Sequence, residues 1–317
     1  MLHASKFMLH TMFDLIIIGG GPAGIAGGVY ASRKQLKTLL ITKEIGGQSV
    51  VSTGIQNWIG TIEISGADLA KSLREHLDAY AGEQLTLVED AHATNVTGTD
   101  GDFTVTTNTG ETYTTKTILI ASGARRRRLD VPGADEFEHK GVTYCATCDG
   151  PMFSGMDVVV VGGGNSGFES AAQLLAYAKS VTLLEHGSSY KAEPVTIEKV
   201  LAHENMTGIL NATTKEIKGS GMVSGLVYED TQAGETHELS VQGVFVEIGA
   251  IPNTDMVREL IELDEYGRVK IDPWTQQASL NGIWAAGDVT NGLYAQNNIA
   301  AGDAVKALED IYRHLKA

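Results

Sequence analysis

The sequence predicts an α/β fold with two parallel β-sheets, and three observations predict it. A β-branched run, a glycine-rich turn and a small-residue stretch follow one another twice, at 16–24 and at 159–167. Glycine accounts for 37 of the 317 residues without a collagen-like period, and extra glycine serves backbone that takes positive φ or approaches a ligand closely. The length itself suggests two domains.

Charge and cysteine content exclude several classes of protein. The 24 basic and 39 acidic residues give a net charge of −15, which argues against a nucleic-acid or membrane-surface binder. Two cysteines cannot form a secreted disulfide framework. Residues 1–12 are interpreted as an N-terminal tail rather than a signal peptide. The uncharged run at 15–32 contains glycine and proline, so we expect no membrane span and a cytoplasmic protein.

Both turns have the spacing G-x-G-x-x-G, at 19–24 and 162–167. Further apolar strands are expected at 38–41 and 181–184, which supplies the β-α-β context that a dinucleotide-binding turn requires. The first glycine forms the tight turn, the second lets backbone approach a pyrophosphate, and the third lets the helix pack on the strand. The helix N-terminus attracts the phosphates. The sequence thus predicts two dinucleotide sites, or one site and a vestigial second.

The order of the repeats predicts an insertion. The second repeat begins in the middle of the chain, and its strands are expected to end by about Gly249. Another strand and turn, at 282–288, precedes a C-terminal helical pattern. We therefore expect two Rossmann-like domains, the second inserted into the first. The predicted domains are 13–124 with 250–317, and 125–249, and the expected hinges are 123–128 and 248–253.

The cysteine motif C-A-T-C at 145–148 is predicted to carry the chemistry. A zinc site needs about four ligands, and a second C-x-x-C motif is absent. A structural disulfide across two intervening residues would remove little chain entropy. The remaining interpretation is a redox dithiol, in which one thiolate attacks and the other resolves the mixed disulfide. Asp149 follows, either as a turn or helix-capping carboxylate or as a general acid and base.

Together these motifs resemble the low-molecular-weight thioredoxin reductases, and equally the reductase portion of the alkyl hydroperoxide reductase flavoprotein subunit. The resemblance covers roughly residues 13–315. It is carried by G-G-G-P-A-G at 19–24, G-G-Q at 46–48, N-W at 57–58, A-S-G at 121–123, C-A-T-C-D-G at 145–150, G-G-G-N-S-G at 162–167 and G-D-V at 287–289.

The resemblance implies FAD in the domain built from both chain ends, a nicotinamide nucleotide in the inserted domain, and a homodimer. The implied FAD contacts are Gly19, Gly21, Pro22, Ala23, Gly24, Gly47, Gln48, Asn57, Gly123, Gly287, Asp288 and Gln296. The nucleotide contacts are Gly162, Gly164, Asn165, Ser166, Gly167 and Glu185. Asp288 would hold the ribitol. By the same resemblance, Cys148 faces the flavin, Cys145 exchanges with the substrate and Asp149 is the acid.

The implied activity is disulfide reduction. Electrons would pass from the nucleotide through FAD to the Cys145–Cys148 disulfide, and then to a thioredoxin-like or glutaredoxin-like protein. One alternative is electron donation to a peroxidase system through a separate small dithiol protein, because this sequence lacks the N-terminal C-x-x-C domain of the peroxide-reductase flavoprotein. A relative reduced by a donor such as ferredoxin and a flavin-linked redox sensor are further alternatives. The resemblance also implies that the inserted domain rotates about the expected hinges.

The nucleotide-specifying segment departs from the NADPH-dependent pattern. Those relatives carry H-R-R-x-x-x-R, whereas this chain has E-H-G-S-S-Y-K at 185–191. Glu185 stands near the spacing of about 20 residues at which an acid binds a ribose 2′-OH, and a carboxylate would repel a 2′-phosphate. The segment favours NADH. NADPH remains an alternative because His186 and Lys191 could contact a phosphate. A donor other than a nucleotide is a further alternative.

Two further segments leave alternatives open. In the first repeat the position that corresponds to Glu185 is occupied by Thr42, so Thr42 and Lys43 are expected near the FAD adenosine ribose without an assigned bond. The run R-R-R-R at 125–128 is the only dense basic segment. It is either a solvated segment that flanks a hinge or a docking patch for an acidic partner.

Overall fold

The computed structural model describes residues 12–52, 54–55, 57–144 and 146–316, apart from the side chains at 51, 147 and 148. Most of the predicted tail therefore lies outside the described residues. The strands are β1 (Phe13–Ile18), β2 (Thr38–Ile41), β3 (Leu85–Val88), β4 (Ala93–Thr99), β5 (Asp102–Thr107), β6 (Thr112–Ile120), β7 (Ala124–Arg126), β8 (Val142–Thr143), β9 (Asp157–Val161), β10 (Ser180–Leu184), β11 (Met206–Ile209), β12 (Ala212–Ser220), β13 (Met222–Asp230), β14 (Glu235–Leu239), β15 (Gly243–Val246), β16 (Ala250–Pro252) and β17 (Ile283–Ala285). The α-helices are α1 (Pro22–Arg33), α2 (Gly66–Ala81), α3 (Ala146–Asp149), α4 (Asn165–Leu174), α5 (Pro194–Leu201) and α6 (Asn297–Lys316).

The described residues form two compact units. The first contains residues 12–51, 55–125 and 251–316, and the second is formed mainly by residues 126–250. The chain thus leaves the first unit after residue 125 and returns to it at residue 251. The short strands at these two passages, β7 and β16, pair with each other. No helix in the described part of the chain is long and apolar enough to cross a membrane.

The first unit is built on a mixed sheet with the strand order β3-β2-β1-β6-β5-β4, and β17 also pairs with β6. The strands β3, β2, β1, β6 and β17 are parallel, whereas β4 and β5 extend the sheet in antiparallel fashion. Alternate residues of β1 point to opposite faces. Leu15 packs in the cluster that contains Leu308 of α6, and Ile16 packs in the cluster that contains Phe103. A parallel strand buried on both faces explains the continuous apolar run.

The second unit repeats this plan around a parallel sheet with the order β11-β10-β9-β15-β8. Val160 packs with Phe168 of α4 on one face. Val159 packs on the other face with Leu226, which belongs to an antiparallel sheet formed by β12, β13 and β14. The predicted α/β class with Rossmann-like units is confirmed. The antiparallel layer of the second unit was not part of the sequence-based expectation.

Candidate active site

The first glycine of each predicted turn has the same stereochemistry. Gly19 has φ +116°, and a Cβ atom there would lie 2.2 Å from the carbonyl oxygen of Ala121. Gly162 has φ +121°, and a Cβ atom there would lie 2.2 Å from the carbonyl oxygen of Glu247. Both positions combine a left-handed backbone with a close approach to the neighbouring strand, so no other residue fits without a shift.

The last glycine of each turn permits close contact between helix and turn. A Cβ atom on Gly24 would lie 1.8 Å from the carbonyl oxygen of Gly19, and a Cβ atom on Gly167 would lie 1.9 Å from that of Gly162. The two repeats therefore share one packing arrangement at these positions. This is the role expected of the third glycine in a dinucleotide-binding turn.

The middle glycines leave open space at two helix N-termini. Gly21 and Gly164 are the N-cap residues of α1 and α4, and neither helix has a side-chain cap. A Cβ atom on Gly21 would approach no atom closer than Gly47 Cα at 4.0 Å, and one on Gly164 would meet nothing within 4 Å. Within the described part of the chain, the first N–H groups of both helices thus have no side-chain acceptor and face an unfilled space, which fits a pyrophosphate at each.

The other first-unit residues that the resemblance implied lie around this helix start. Pro22 and Ala23 open α1, and a Cβ atom on Gly287 would lie 3.5 Å from Ala23 Cβ. The Gln48 amide donates a hydrogen bond to the Ala124 carbonyl oxygen, next to Gly123. These contacts connect segments that are far apart in sequence, as a composite nucleotide site requires.

A polar network joins the predicted residues Asn57 and Gln296. Asn57 Nδ2 donates to Gln296 Oε1 over 2.7 Å, and Asn298 Nδ2 donates to the Asn57 carbonyl oxygen over 2.5 Å. Ser49 Oγ and Asn297 Oδ1 are 2.9 Å apart. Sequence reasoning missed Ser49 and the two asparagines. The available signal was a polar pair directly after Gln296, at the start of α6.

Asp288 is a candidate ligand-binding carboxylate of the first unit. Its side chain makes no hydrogen bond or ion pair with any described residue, although it follows the buried strand β17. Desolvation by the surrounding protein raises its pKa above the ordinary value. Because the side chain is exposed and has no described partner, its carboxylate is open to a hydroxylated ligand such as the ribitol of FAD.

The two repeats place different side chains at the end of their second strand. Thr42 follows β2, is buried, and donates from Oγ1 to the Glu44 carbonyl oxygen over 2.6 Å. Glu185 follows β10 and is only 3% exposed. Each residue approaches the middle of its glycine turn, because a Cβ on Gly20 would meet Thr42 Oγ1 and one on Gly163 would meet Glu185 Oε2.

The Glu185 carboxylate is already engaged by backbone. Its Oε2 accepts from the Gly163 N–H group over 2.7 Å, and its Oε1 accepts from the Gly187 N–H group over 2.8 Å. His186 Nδ1 lies 3.0 Å from Oε1. At the start of α4, Asn165 Oδ1 accepts a hydrogen bond from the Glu193 N–H group over 2.9 Å. The carboxylate is thus held in place beside the turn by two backbone donors.

The dithiol motif is described only in part. Cys145 lies outside the described residues, and so does the side chain of Cys148, whose backbone belongs to α3. Asp149 ends α3, and its Oδ2 accepts a hydrogen bond from Thr143 Oγ1. Asp149 makes no capping hydrogen bond to the 3-10 helix Gly150–Phe153. Its carboxylate is therefore tied to β8 rather than used as a helix cap.

The basic run is largely neutralised within the chain. Arg125 donates to Asn253 Oδ1 over 2.9 Å and lies 3.7 Å from Asp255. The remaining ion pairs of the run are Arg126–Glu247 at 3.2 Å, Arg128–Glu138 at 3.1 Å and Arg128–Asp135 at 3.7 Å. This pairing reduces the charge that the run presents to an acidic partner.

Glu247 is a functional candidate that sequence reasoning missed. Its side chain is 6% exposed, accepts from Ser170 Oγ over 2.7 Å, and pairs with Arg126. Burial raises its pKa, an effect that Ser170 and Arg126 oppose. It directly follows β15 and touches Gly162 through its carbonyl group. The sequence offers no signal for this cluster, because its members lie on three separate elements.

Comparison with known proteins places these features in a family. The sequence profile of the pyridine nucleotide-disulphide oxidoreductases matches residues 13–304. The F subunit of alkyl hydroperoxide reductase in Staphylococcus aureus is 38% identical over 312 residues, which cover 98% of this chain and 61% of that protein. This chain therefore spans about 61% of the length of that relative.

Two solved structures share the architecture over nearly their whole length. Thioredoxin reductase from Lactococcus lactis, in its FR conformation, superimposes with a TM-score of 0.79 at 31% identity and covers 96% of this chain and 99% of its own. Thioredoxin reductase from T. acidophilum gives a TM-score of 0.78 at 35% identity, with 96% and 99% coverage. The chain belongs to the pyridine nucleotide-disulphide oxidoreductase family and has the fold of the thioredoxin reductases.

Proposed function

We propose that this chain is a flavoprotein disulfide reductase that passes electrons from NADH to a thioredoxin-like protein. The observation that carries the proposal is the C-x-x-C motif beside an anchored carboxylate, Asp149, within a unit that also holds a dinucleotide-type turn. The other unit supplies a second turn of the same stereochemistry. Two nucleotide cradles and one dithiol are the parts that such a reductase requires.

FAD, when bound, accepts a hydride from a nicotinamide nucleotide and releases two electrons to a disulfide. In the first unit we assign its pyrophosphate to the N-terminus of α1 and its ribitol to Asp288, with Gln48, Asn57, Gln296 and Gly123 around the remaining groups. In the second unit the N-terminus of α4 receives the nucleotide pyrophosphate.

The dithiol transfers the reducing equivalents by thiol–disulfide exchange. The Cys145 thiolate attacks one sulfur of the partner disulfide, the partner S–S bond breaks, and the departing partner thiolate takes the electron pair. Cys148 then loses its proton to Asp149 and attacks Cys145, which forms the Cys145–Cys148 bond and releases the partner's second thiolate. One partner thiolate takes the proton from Asp149, so the partner gains two electrons and one proton, and the chain is left oxidised.

We propose NADH as the preferred nucleotide. The support is the buried Glu185 carboxylate, which two backbone N–H groups hold beside the second turn. A fixed negative charge accepts from a ribose 2′-OH and repels a 2′-phosphate. NADPH and a donor that is not a nucleotide are the competing assignments.

Two candidate acceptors follow from different relatives. The two thioredoxin reductases resemble this chain over 96% of its length, which favours a thioredoxin-like disulfide as the substrate. The alkyl hydroperoxide reductase relative favours supply of a peroxidase, through a separate small dithiol protein. We propose reduction of a thioredoxin-like protein as the main activity, because both candidate activities require disulfide exchange with a small dithiol protein.

We also propose a homodimer in the cytoplasm. The family resemblance implies the dimer, and the first unit carries a groove of about 240 Å³ with mostly apolar walls. Tyr30, Trp58, Leu73 and Val305 are among its lining residues. Sedimentation velocity on the FAD-loaded protein tests the dimer. A single species of monomer mass at high concentration would contradict it.

Anaerobic titration of the oxidised holoprotein tests the nucleotide assignment. Flavin bleaching is followed with NADH and with NADPH in separate runs. Rapid bleaching by NADH is expected. Rapid bleaching by NADPH alone would contradict the role given to Glu185, and bleaching by neither would indicate a donor such as ferredoxin.

Cys145→Ser and Cys148→Ser test the dithiol. Each variant is expected to retain FAD and to be bleached by the nucleotide, yet to lose reduction of a thioredoxin disulfide. Thr214→Ser, a change at a buried hydroxyl of the second unit, is the matched control. Turnover of a protein disulfide by either cysteine variant would overturn the dithiol mechanism.

A further inference from the structure

Thr143 occupies a rigid position at the edge of the second-unit sheet. It ends β8, which pairs with β15 in parallel register, Val142 opposite Val244 and Thr143 opposite Phe245. Val142 is fully buried beside the same strand, and the Val244 N–H group donates to the Gly141 carbonyl oxygen over 2.8 Å. The backbone that carries the Thr143 hydroxyl is thereby held by the sheet, and a β-branched side chain is stiff at χ1.

The residues around α3 are anchored on the opposite side. Ala146 and Phe153 are buried in the cluster that contains Leu174 of α4. A Cβ atom on Gly150 would lie 3.4 Å from the Leu174 side chain, so this backbone rests directly on the helix. Asp149 stands between these two anchors.

One hydrogen bond joins the anchored strand to the anchored carboxylate. Thr143 is 7% exposed, and its Oγ1 donates to Asp149 Oδ2. A hydroxyl donor to a carboxylate is a charge-assisted bond, stronger than one between neutral groups. The bond occupies one oxygen of Asp149 and sets the plane in which the other oxygen, Oδ1, lies.

We propose that Thr143 is the positioning residue for Asp149, the carboxylate that takes up and returns the proton during exchange at the dithiol, an inference that rests on the proposed function. By holding Oδ2, it leaves Oδ1 available in a fixed orientation to take the proton that Cys148 gives up. In that step the proton moves from Cys148 to Oδ1, the Cys145–Cys148 bond forms, the bond between Cys145 and the partner breaks, and the partner thiolate leaves. Proton transfer depends first on geometry, so a misdirected carboxylate slows resolution without affecting the attack by Cys145.

Single-turnover exchange with a small probe separates these steps. The reduced holoprotein is mixed with oxidised 2-mercaptoethanol and quenched in acid, and mass spectrometry follows the mixed disulfide as it forms and decays. We expect Thr143→Val to slow decay about tenfold and Asp149→Asn about 100-fold, within the range of general acid–base catalysis. Formation should match the wild type. Thr143→Ser should restore decay to within about twofold, since a hydroxyl bonded to a carboxylate is retained.

The double variant and a matched control decide between positioning and a structural effect. In the double variant Thr143→Val with Asp149→Asn, the mixed disulfide should decay no more slowly than in Asp149→Asn alone, because Thr143 acts through that carboxylate. Thr214→Val removes another buried hydroxyl of the same unit, one without a hydrogen-bond partner in the described residues, and should leave both phases unchanged.

Three results would overturn the inference. Decay of the mixed disulfide at the wild-type rate in Thr143→Val would contradict the positioning role. Decay in the double variant that is slowed by the product of the two single-variant factors would also contradict it. Equal slowing of formation and decay in Thr143→Val would show a structural defect instead. Wild-type decay in Asp149→Asn would remove the proton-transfer role of Asp149 from the proposed function itself, which distinguishes the two failures.

Discussion

The Gly163 N–H group donates a hydrogen bond to Glu185 Oε2 over 2.7 Å, inside the turn that precedes α4. In the first unit the residue at this place is Thr42, whose hydroxyl bonds to the Glu44 carbonyl oxygen instead. The two turns therefore share glycine stereochemistry but differ in charge. We propose that this difference lets the second turn discriminate between nucleotides with and without a 2′-phosphate.

Glu185→Gln should reduce the preference for NADH. The ratio of kcat/KM for NADH to kcat/KM for NADPH is expected to fall about tenfold, since a charged acceptor contributes about 1.5–3 kcal/mol and repels phosphate. The ratio is the measurement because loss of a backbone hydrogen bond affects both nucleotides alike. Glu198→Gln, on the exposed face of α5, is the control. An unchanged ratio would refute the role of Glu185.

The glycines of the second turn should separate stability from binding. In Gly167→Ala the added Cβ would lie 1.9 Å from the Gly162 carbonyl oxygen, so the free energy of unfolding should fall by about 2–3 kcal/mol. In Gly164→Ala the Cβ enters open space, so stability should hold while nucleotide affinity falls. Thermal unfolding and calorimetric titration measure the two quantities. A Gly167→Ala protein as stable as the wild type would contradict the observed packing.

Asp288 should make FAD binding depend on pH. Its pKa is raised by desolvation, and only the ionised carboxylate is a pure acceptor for ribitol hydroxyls. Affinity of the apoprotein for FAD should therefore be full above this raised pKa and fall as the pH drops through it. Asp288→Asn should bind FAD about tenfold more weakly, without that pH dependence. Calorimetry across pH tests both, with the exposed Asp130→Asn as control; parallel pH profiles in Asp288→Asn and wild type would exclude the assignment.

Glu247 should contribute a pH-dependent term to stability. Burial raises its pKa in the folded protein above the unfolded value of about 4.3. The native state therefore favours the protonated form, and the contribution is full below the unfolded pKa and is lost as the pH rises through the folded one. The stability of the wild type relative to Glu247→Gln should thus decline from acid to neutral pH. Urea unfolding at several pH values tests this, with Glu198→Gln for comparison; a constant difference would contradict it.

Local patterns in the sequence predicted the elements that carry the two turns. The strands β1 and β9 and the helices α1 and α4 were expected because a β-branched run and a G-x-G-x-x-G spacing are contiguous in the chain. The dithiol motif was equally visible, since its two cysteines and Asp149 are neighbours. The antiparallel layer of β12, β13 and β14 escaped notice because β12 and β14 are rich in polar residues and give a weak periodic signal.

By itself, the sequence determined the α/β class, and it contains the repeated turns and the cysteine pair, all of which follow from residues close together in the chain. Only the tertiary structure decided which distant groups meet. It paired Asn57 with Gln296 and buried Glu247 against Ser170 and Arg126. It also tied Asp149 to Thr143 and left the exposed Asp288 without a described partner. The packing of whole elements determines these contacts and their electrostatics. Neither can be predicted from a local sequence pattern, because the residues involved lie on separate segments of the chain.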